Sequence, residues 1–136
     1  MGRANVFQHR RQTCQRTKRR FRIQDQLNII RVFDQLIYNT DRNQGNLLIT
    51  PEWKLWMIDF TRAFRHNKTL LSDKDLKKCD RQLLDKLRAL TAEQVTAATK
   101  GYVTAAEIDP LLARRDVIVK LFEALVAQNG EAQVLY

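Results

Sequence analysis

Residues 39–60 read Asn-Thr-Asp-Arg-Asn-Gln-Gly-Asn-Leu-Leu-Ile-Thr-Pro-Glu-Trp-Lys-Leu-Trp-Met-Ile-Asp-Phe, and the reading of this stretch decides the fold. The polar run Asn39 to Gly45 suits neither helix nor strand and reads as a loop. Asn46–Thr50 and Lys54–Asp59 are two short β-prone runs on either side of Pro51-Glu52-Trp53, the pattern of a hairpin. Both runs are apolar on both faces, so the hairpin is expected to pack against helices on at least one side. A turn at Glu52-Trp53 would pair Thr50 with Leu55, Ile49 with Trp56 and, further out, Asn46 with Asp59. Residues opposed in an antiparallel pair point to one face. An amide oxygen and a carboxylate would then converge, with Asp41 close to the same opening.

On the N-terminal side, Leu27, Ile30, Val32, Phe33, Leu36 and Ile37 recur at helical intervals, which predicts a helix over about 26–38 with Asp25 as its N-cap. On the C-terminal side the chain reads as four helices. Ser72 and Asp75 form a capping box for a helix of about 73–89 bearing Leu76, Cys79, Leu83, Leu84 and Leu87. Thr91 caps a second helix that ends at Gly101, and Thr104 with Glu107 starts a third, short one. Pro110 opens a fourth, which runs to Gly130. The expected class is mainly α with a small β-hairpin, one domain of 136 residues.

The formal charge of +9 is not spread along the chain. Of 24 Lys and Arg, eight (Arg3, Arg10, Arg11, Arg16, Lys18, Arg19, Arg20 and Arg22) fall in residues 1–22, which contain no acid; sixteen face fifteen acidic residues thereafter. Residues 1–22 are therefore expected to be a mobile basic arm, and the body, 23–136, almost neutral. Such an arm is a solvated tail, or it holds nucleic acid weakly through residues 3–22; Phe7 and Phe21 are too few for a stacking platform. His9 in the arm has no neighbour that suggests a ligand role. No run is long enough to span a bilayer and the start lacks a secretory core, so a soluble cytoplasmic protein is expected. Cys14 and Cys79 have no partner at ligand or disulfide spacing and read as free thiols.

Asp41 to Asn46 has the spacing Asp-x-x-x-x-Asn, and Trp56-Met57-Ile58-Asp59-Phe60 is an apolar strand ending in Asp-Phe. In this order the two segments resemble the catalytic loop and metal-binding Asp of the protein-kinase-like superfamily, closest to its lipid-kinase-like and HipA-type branches. The resemblance covers residues 26–65 and implies a kinase-like C-terminal lobe. It implies Asp41 as catalytic base, Asn46 and Asp59 as ligands of Mg²⁺ or Mn²⁺, Arg42 as a cofactor-binding residue, ATP as phosphoryl donor and an unidentified hydroxyl as acceptor. Asn39-Thr40 stands where ordinary protein kinases have His-Arg, Asn43 where the lipid-kinase-like loop has His, and Thr61 where the Gly of Asp-Phe-Gly would be. Nothing before Asp25 reads as a Gly-rich strand-turn-strand, a phosphate-pairing Lys or its Glu partner. The ATP-clamping lobe is accordingly expected from elsewhere, the chain being a piece of a longer kinase-like protein or dependent on a partner. Two other classes compete: a catalytically silent pseudokinase-like module that binds polyanions through its arm, and a helical interaction domain whose acidic loop is accidental.

Other residues carry weaker expectations. Arg62, Arg65 and His66 can meet substrate phosphates or simply belong to a solvated loop. Trp53 and Trp56 read as core or rim packing. Arg114-Arg115-Asp116 reads as ordinary charge on a helix surface, with an ion-pair network as the alternative.

Overall fold

The computed structural model describes residues 22–136. The basic arm, apart from Arg22, lies outside the described residues together with His9 and Cys14. The described residues form helix α1 over 22–37, strands β1 (Leu47–Ile49) and β2 (Leu55–Met57), and helices α2 (Arg81–Ala89), α3 (Ala92–Ala98), α4 (Ala105–Asn129) and α5 (Glu131–Val134). The class is the expected one, mainly helical with one antiparallel two-stranded hairpin. No helix among the described residues is long and apolar enough to cross a membrane.

Helix α4 is the central element, about 37 Å long at 1.5 Å per residue. Its Ile108, Leu111, Ile118 and Phe122 meet Val32, Leu36 and Ile37 of α1, Leu84 and Leu87 of α2 and Val95 of α3 in one apolar core. The sequence suggests two helices here, with Pro110 opening the second; instead Pro110 lies inside one continuous helix. Proline lacks the N–H that would bond the carbonyl four residues back, which is that of Ala106. His66 Nδ1 lies 3.2 Å from that carbonyl and donates to it as the Nδ1–H tautomer, which satisfies the bond Pro110 cannot make.

Helix α2 begins eight residues later than the apolar spacing predicts. The reason is the backbone of Cys79: its N–H donates to Val134 O and its C=O accepts from Tyr136 N, a parallel bridge to the C-terminal segment. Those groups cannot serve a helical ladder as well. Asp80 therefore supplies the cap, its Oδ1 accepting from Leu83 N at 2.8 Å, and Ser72 closes only a local turn with Lys74 N. Thr91 caps α3 with Gln94, and Thr104 pairs with Glu107 at the start of α4, as the sequence suggests. Helix α1 is already helical at residue 22, so Asp25 is inside it and is not its N-cap.

The hairpin register differs by one residue from the expected one. Leu47 pairs with Met57, Leu48 with Trp56 and Ile49 with Leu55. The cause is the turn. Thr50 pairs with Lys54, leaving three residues between, and Trp53 takes a left-handed φ of 63°, the form of a three-residue connection that places one extra residue in the loop. Gln26 of α1 fixes this turn, donating to Trp53 O and accepting from Leu55 N at 2.9 and 2.8 Å. Trp53 and Trp56 are 39% and 52% exposed, on the outside of the hairpin and not in the core.

Candidate functional site

The Asp41 loop leaves the C-terminus of α1, where a helix exposes its last four carbonyls. All four are satisfied. Asp34 O accepts from Asn39 N, Gln35 O from Tyr38 N, Leu36 O from Arg114 Nε and Ile37 O from Phe64 N. Two of the four partners are local; the other two come from α4 and from the segment after Asp59. The loop itself is built from short polar side chains. Buried Asn39 donates to Asp34 and accepts from the Asp41 amide, and Asn43 caps the tight turn Gln44–Asn46 through Gly45 N. Gly45 gives the turn room: a Cβ there would lie 3.1 Å from Asn43 Oδ1, a tight contact that the Asn43 side chain would have to yield to. Asn46 Nδ2 donates to Asp41 O at 2.6 Å, which ties the two ends of the loop together. The carboxylate of Asp41 is one-third exposed, with Asn43 Nδ2 at 3.4 Å and Arg62 Nε at 4.0 Å.

Arg42 holds this loop to the hairpin. Its Nε and Nη2 grip Asp34 in a two-pronged pair at 2.8 and 3.1 Å, and its Nη1 donates both to Asn46 O at 2.8 Å and to Ile58 O at 3.1 Å. Its guanidinium also lies over the Phe60 ring. One nitrogen thus joins the metal-ligand candidate Asn46 to the residue before Asp59. The four hydrogen bonds occupy four of the five guanidinium donors and fix the loop against the hairpin.

Ile58 N donates to Asn46 O, so the partner of Asn46 across the hairpin is Ile58 and not Asp59. A one-residue slip would normally send the Asp59 side chain to the other face. Here strand pairing stops at Met57 and Asp59 takes a left-handed φ of 58°, so the alternation of a regular strand no longer decides where its side chain points. A non-glycine residue in that region stores strain, a feature that clusters at functional sites. Asp59 Oδ1 accepts from both the hydroxyl and the amide of Thr61, which holds the carboxyl below its usual range, helped by the nearby Arg62 and Arg42. Among the described residues no hydrogen bond engages Asp59 Oδ2 or Asn46 Oδ1. Two hard oxygens of this kind match the one or two protein ligands that Mg²⁺ takes alongside waters and phosphates. No group of three or more His, Cys, Asp and Glu side chains converges among the described residues.

Of the more weakly suspected residues, Arg62 is 63% exposed beside Asp41 and Arg65 is exposed, whereas His66 is taken up by the Pro110 gap. Arg115 pairs with Asp116 and also donates to Leu90 O. Arg114, expected on the surface, is completely buried. Asp34 was not singled out by the sequence reading either. Its signal is an acid at helical spacing within the buried stripe Ile30, Ile37, with an Arg eight residues on.

Comparison of the chain with models of protein families, with curated proteins and with solved structures yields no match.

Proposed function

We propose that residues 26–65 form the base-and-metal half of a kinase-like site that transfers a phosphoryl group from ATP to a hydroxyl acceptor. The observation that carries the reading is the Arg42 staple, which ties the Asp41–Asn46 loop to the strand end that bears Asp59. In this reading Asp41 orients the attacking hydroxyl and accepts its proton. Asn46 Oδ1 and Asp59 Oδ2 hold Mg²⁺ or Mn²⁺, and Thr61 orients the Asp59 carboxylate by donating twice to its other oxygen. The bound cation supplies charge neutralisation on the phosphate oxygens.

The outer face of the hairpin supports a nucleotide in particular. Leu48 and Trp56 are a cross-strand pair on one face, 53% and 52% exposed, and Ile58 lies two residues further along toward Asn46. An exposed apolar floor running up to oxygen ligands suits a base at one end and phosphates at the other. The second wall of that pocket, with the phosphate clamp, would come from another part of a longer protein or from a partner, so binding is a better first readout than turnover.

The test is calorimetric titration of Mn²⁺ with ATP into the wild type, Asp59→Ala and Asn46→Ala. Binding by the wild type that both substitutions abolish is the expected result. No binding by the wild type contradicts the reading. Binding that survives Asp59→Ala and weakens steeply with salt identifies a polyanion-binding module in its place.

A further inference from the structure

We infer that Arg114 is a positioning residue that locks the Asp41 loop and the segment after Asp59 into one unit; its consequence for nucleotide rests on the phosphotransferase reading above. Arg114 projects from α4 with no exposed surface. Its Nε donates to Leu36 O at 2.8 Å, in the last turn of α1, and its Nη1 donates to Arg65 O at 3.0 Å and to Asn67 O. The guanidinium lies over the Tyr38 ring, 5.5 Å from its centroid, and Tyr38 is the first residue past α1, in a left-handed conformation. One side chain therefore touches the chain just before the Asp41 loop and just after the Asp59 turn.

The chemistry is unusual for a buried arginine. Among the described residues no carboxylate pairs with it, and Nη2 is buried with no partner at all. Burial without a counter-ion is unfavourable. What offsets it is the set of three carbonyls, the Tyr38 face and the negative end of the α1 dipole at Leu36. A group kept only for stability would be better replaced by an apolar side chain of similar volume. A planar fork that reaches carbonyls on two separate loops does something an apolar side chain cannot: it fixes their spacing. The backbone repeats the link, since Thr40 N donates to Arg62 O and Phe64 N to Ile37 O.

The experiment is amide hydrogen exchange on the wild type, Arg114→Lys and Val95→Ala, the last a core substitution in α3 remote from the site. Lysine keeps the charge and the stem but not the fork. The amides of Asn39, Thr40, Asp41 and Phe64 are all hydrogen-bonded, so their protection can be read. In Arg114→Lys they lose protection together, about tenfold more than the core amides of α2, whereas Val95→Ala leaves the ratio of site to core unchanged. An unchanged ratio in Arg114→Lys, or loss at Phe64 without loss at Asn39 to Asp41, overturns the inference. Should Arg114→Lys fail to fold, Tyr38→Leu, which removes only the ring face, is read by the same ratio and the same rule. The Mn²⁺–ATP titration is run in parallel. If the wild type binds, Arg114→Lys binds about tenfold more weakly; if the wild type does not bind, the phosphotransferase reading falls while the exchange result still decides the role of Arg114.

Discussion

The segment from Asn39 to Asn67 and the helices from Arg81 onward are held by different forces. The helices are held by an apolar core in which Leu84, Ile118 and Phe122 have no exposed surface and whose caps are local. The site segment buries little apolar surface of its own: Leu48, Ile49, Trp56, Ile58 and Phe60 are all more than a third exposed. Its shape comes from polar staples, Asp34–Arg42, Asn39, Asn46 and Arg114, and it contains left-handed Asp59 and Phe64. Apolar packing tolerates exchange of one side chain for another of similar volume; a network of directed bonds does not. The part of the molecule with the greater demand on geometry is built from the interactions with the stricter geometry.

The comparison can be broken most forcefully at the Asp34–Arg42 pair. Asp34→Ala leaves the Arg42 guanidinium, only 14% exposed, without its carboxylate. It is expected to lower stability by about 3–5 kcal/mol in urea unfolding, and to abolish Mn²⁺–ATP binding even where the variant is still folded. Leu84→Ala in α2 is expected to cost a comparable ~2–5 kcal/mol through the cavity it leaves, yet to keep nucleotide affinity unchanged under conditions where it is folded. Equal loss of affinity in both variants would erase the distinction between the two regions. Thr91→Ala removes the α3 capping box and is expected to cost about 1 kcal/mol with no effect on binding. Trp56→Ala sharpens the contrast from the other side. It changes stability by no more than about 0.5 kcal/mol, because Trp56 is half exposed, but it weakens ATP binding relative to binding of inorganic triphosphate.

A pH experiment isolates the smallest effect. The Asp59 carboxyl titrates below its usual range, first because of the Thr61 hydroxyl. A group with a depressed folded-state value stabilises the fold above its unfolded value and loses that contribution as pH falls toward the folded one. Thr61→Ala is therefore expected to move the acid limit of Mn²⁺ binding upward, toward the ordinary carboxylate range. An unshifted acid limit would mean that Asp59 is not the group that titrates.

How much of this was legible in the sequence follows the same division. Apolar periodicity revealed α1, because burial of one face leaves a repeating pattern, and the cap residues Thr91 and Thr104 marked the starts of α3 and α4. The sequence reading misjudged the start of α2, where the backbone of Cys79 is claimed by a strand-like bridge to the C-terminal segment, and it divided α4 at Pro110, whose missing bond is compensated by His66, forty-four residues earlier. Asp41, Asn46 and Asp59 stand out by spacing, and the fold brings their loops together. The details that make the arrangement possible do not show in local pattern. One extra loop residue at left-handed Trp53 shifts the register, and Asp59, in a left-handed turn of its own, is not paired with Asn46 as the expected register required. Arg114 resembles an ordinary surface charge until its distant partners are known, whereas Asp34 is marked locally by its place in the buried stripe of α1 with Arg42 eight residues on. Cys79 is the free thiol expected from its isolation in the sequence, and its burial pushes the thiol up to about 12, mainly by desolvation.

The most direct test of the central claim, that Asn46 and Asp59 present their oxygens to one divalent cation beside Asp41, is paramagnetic broadening of the amide spectrum by substoichiometric Mn²⁺ with ATP. The expected result is selective loss of the Asp41, Asn46 and Asp59 to Thr61 signals, abolished by Asp59→Ala. Broadening centred on the acidic turn at Asp73 and Asp75 with the Asn46 and Asp59 signals intact would contradict it.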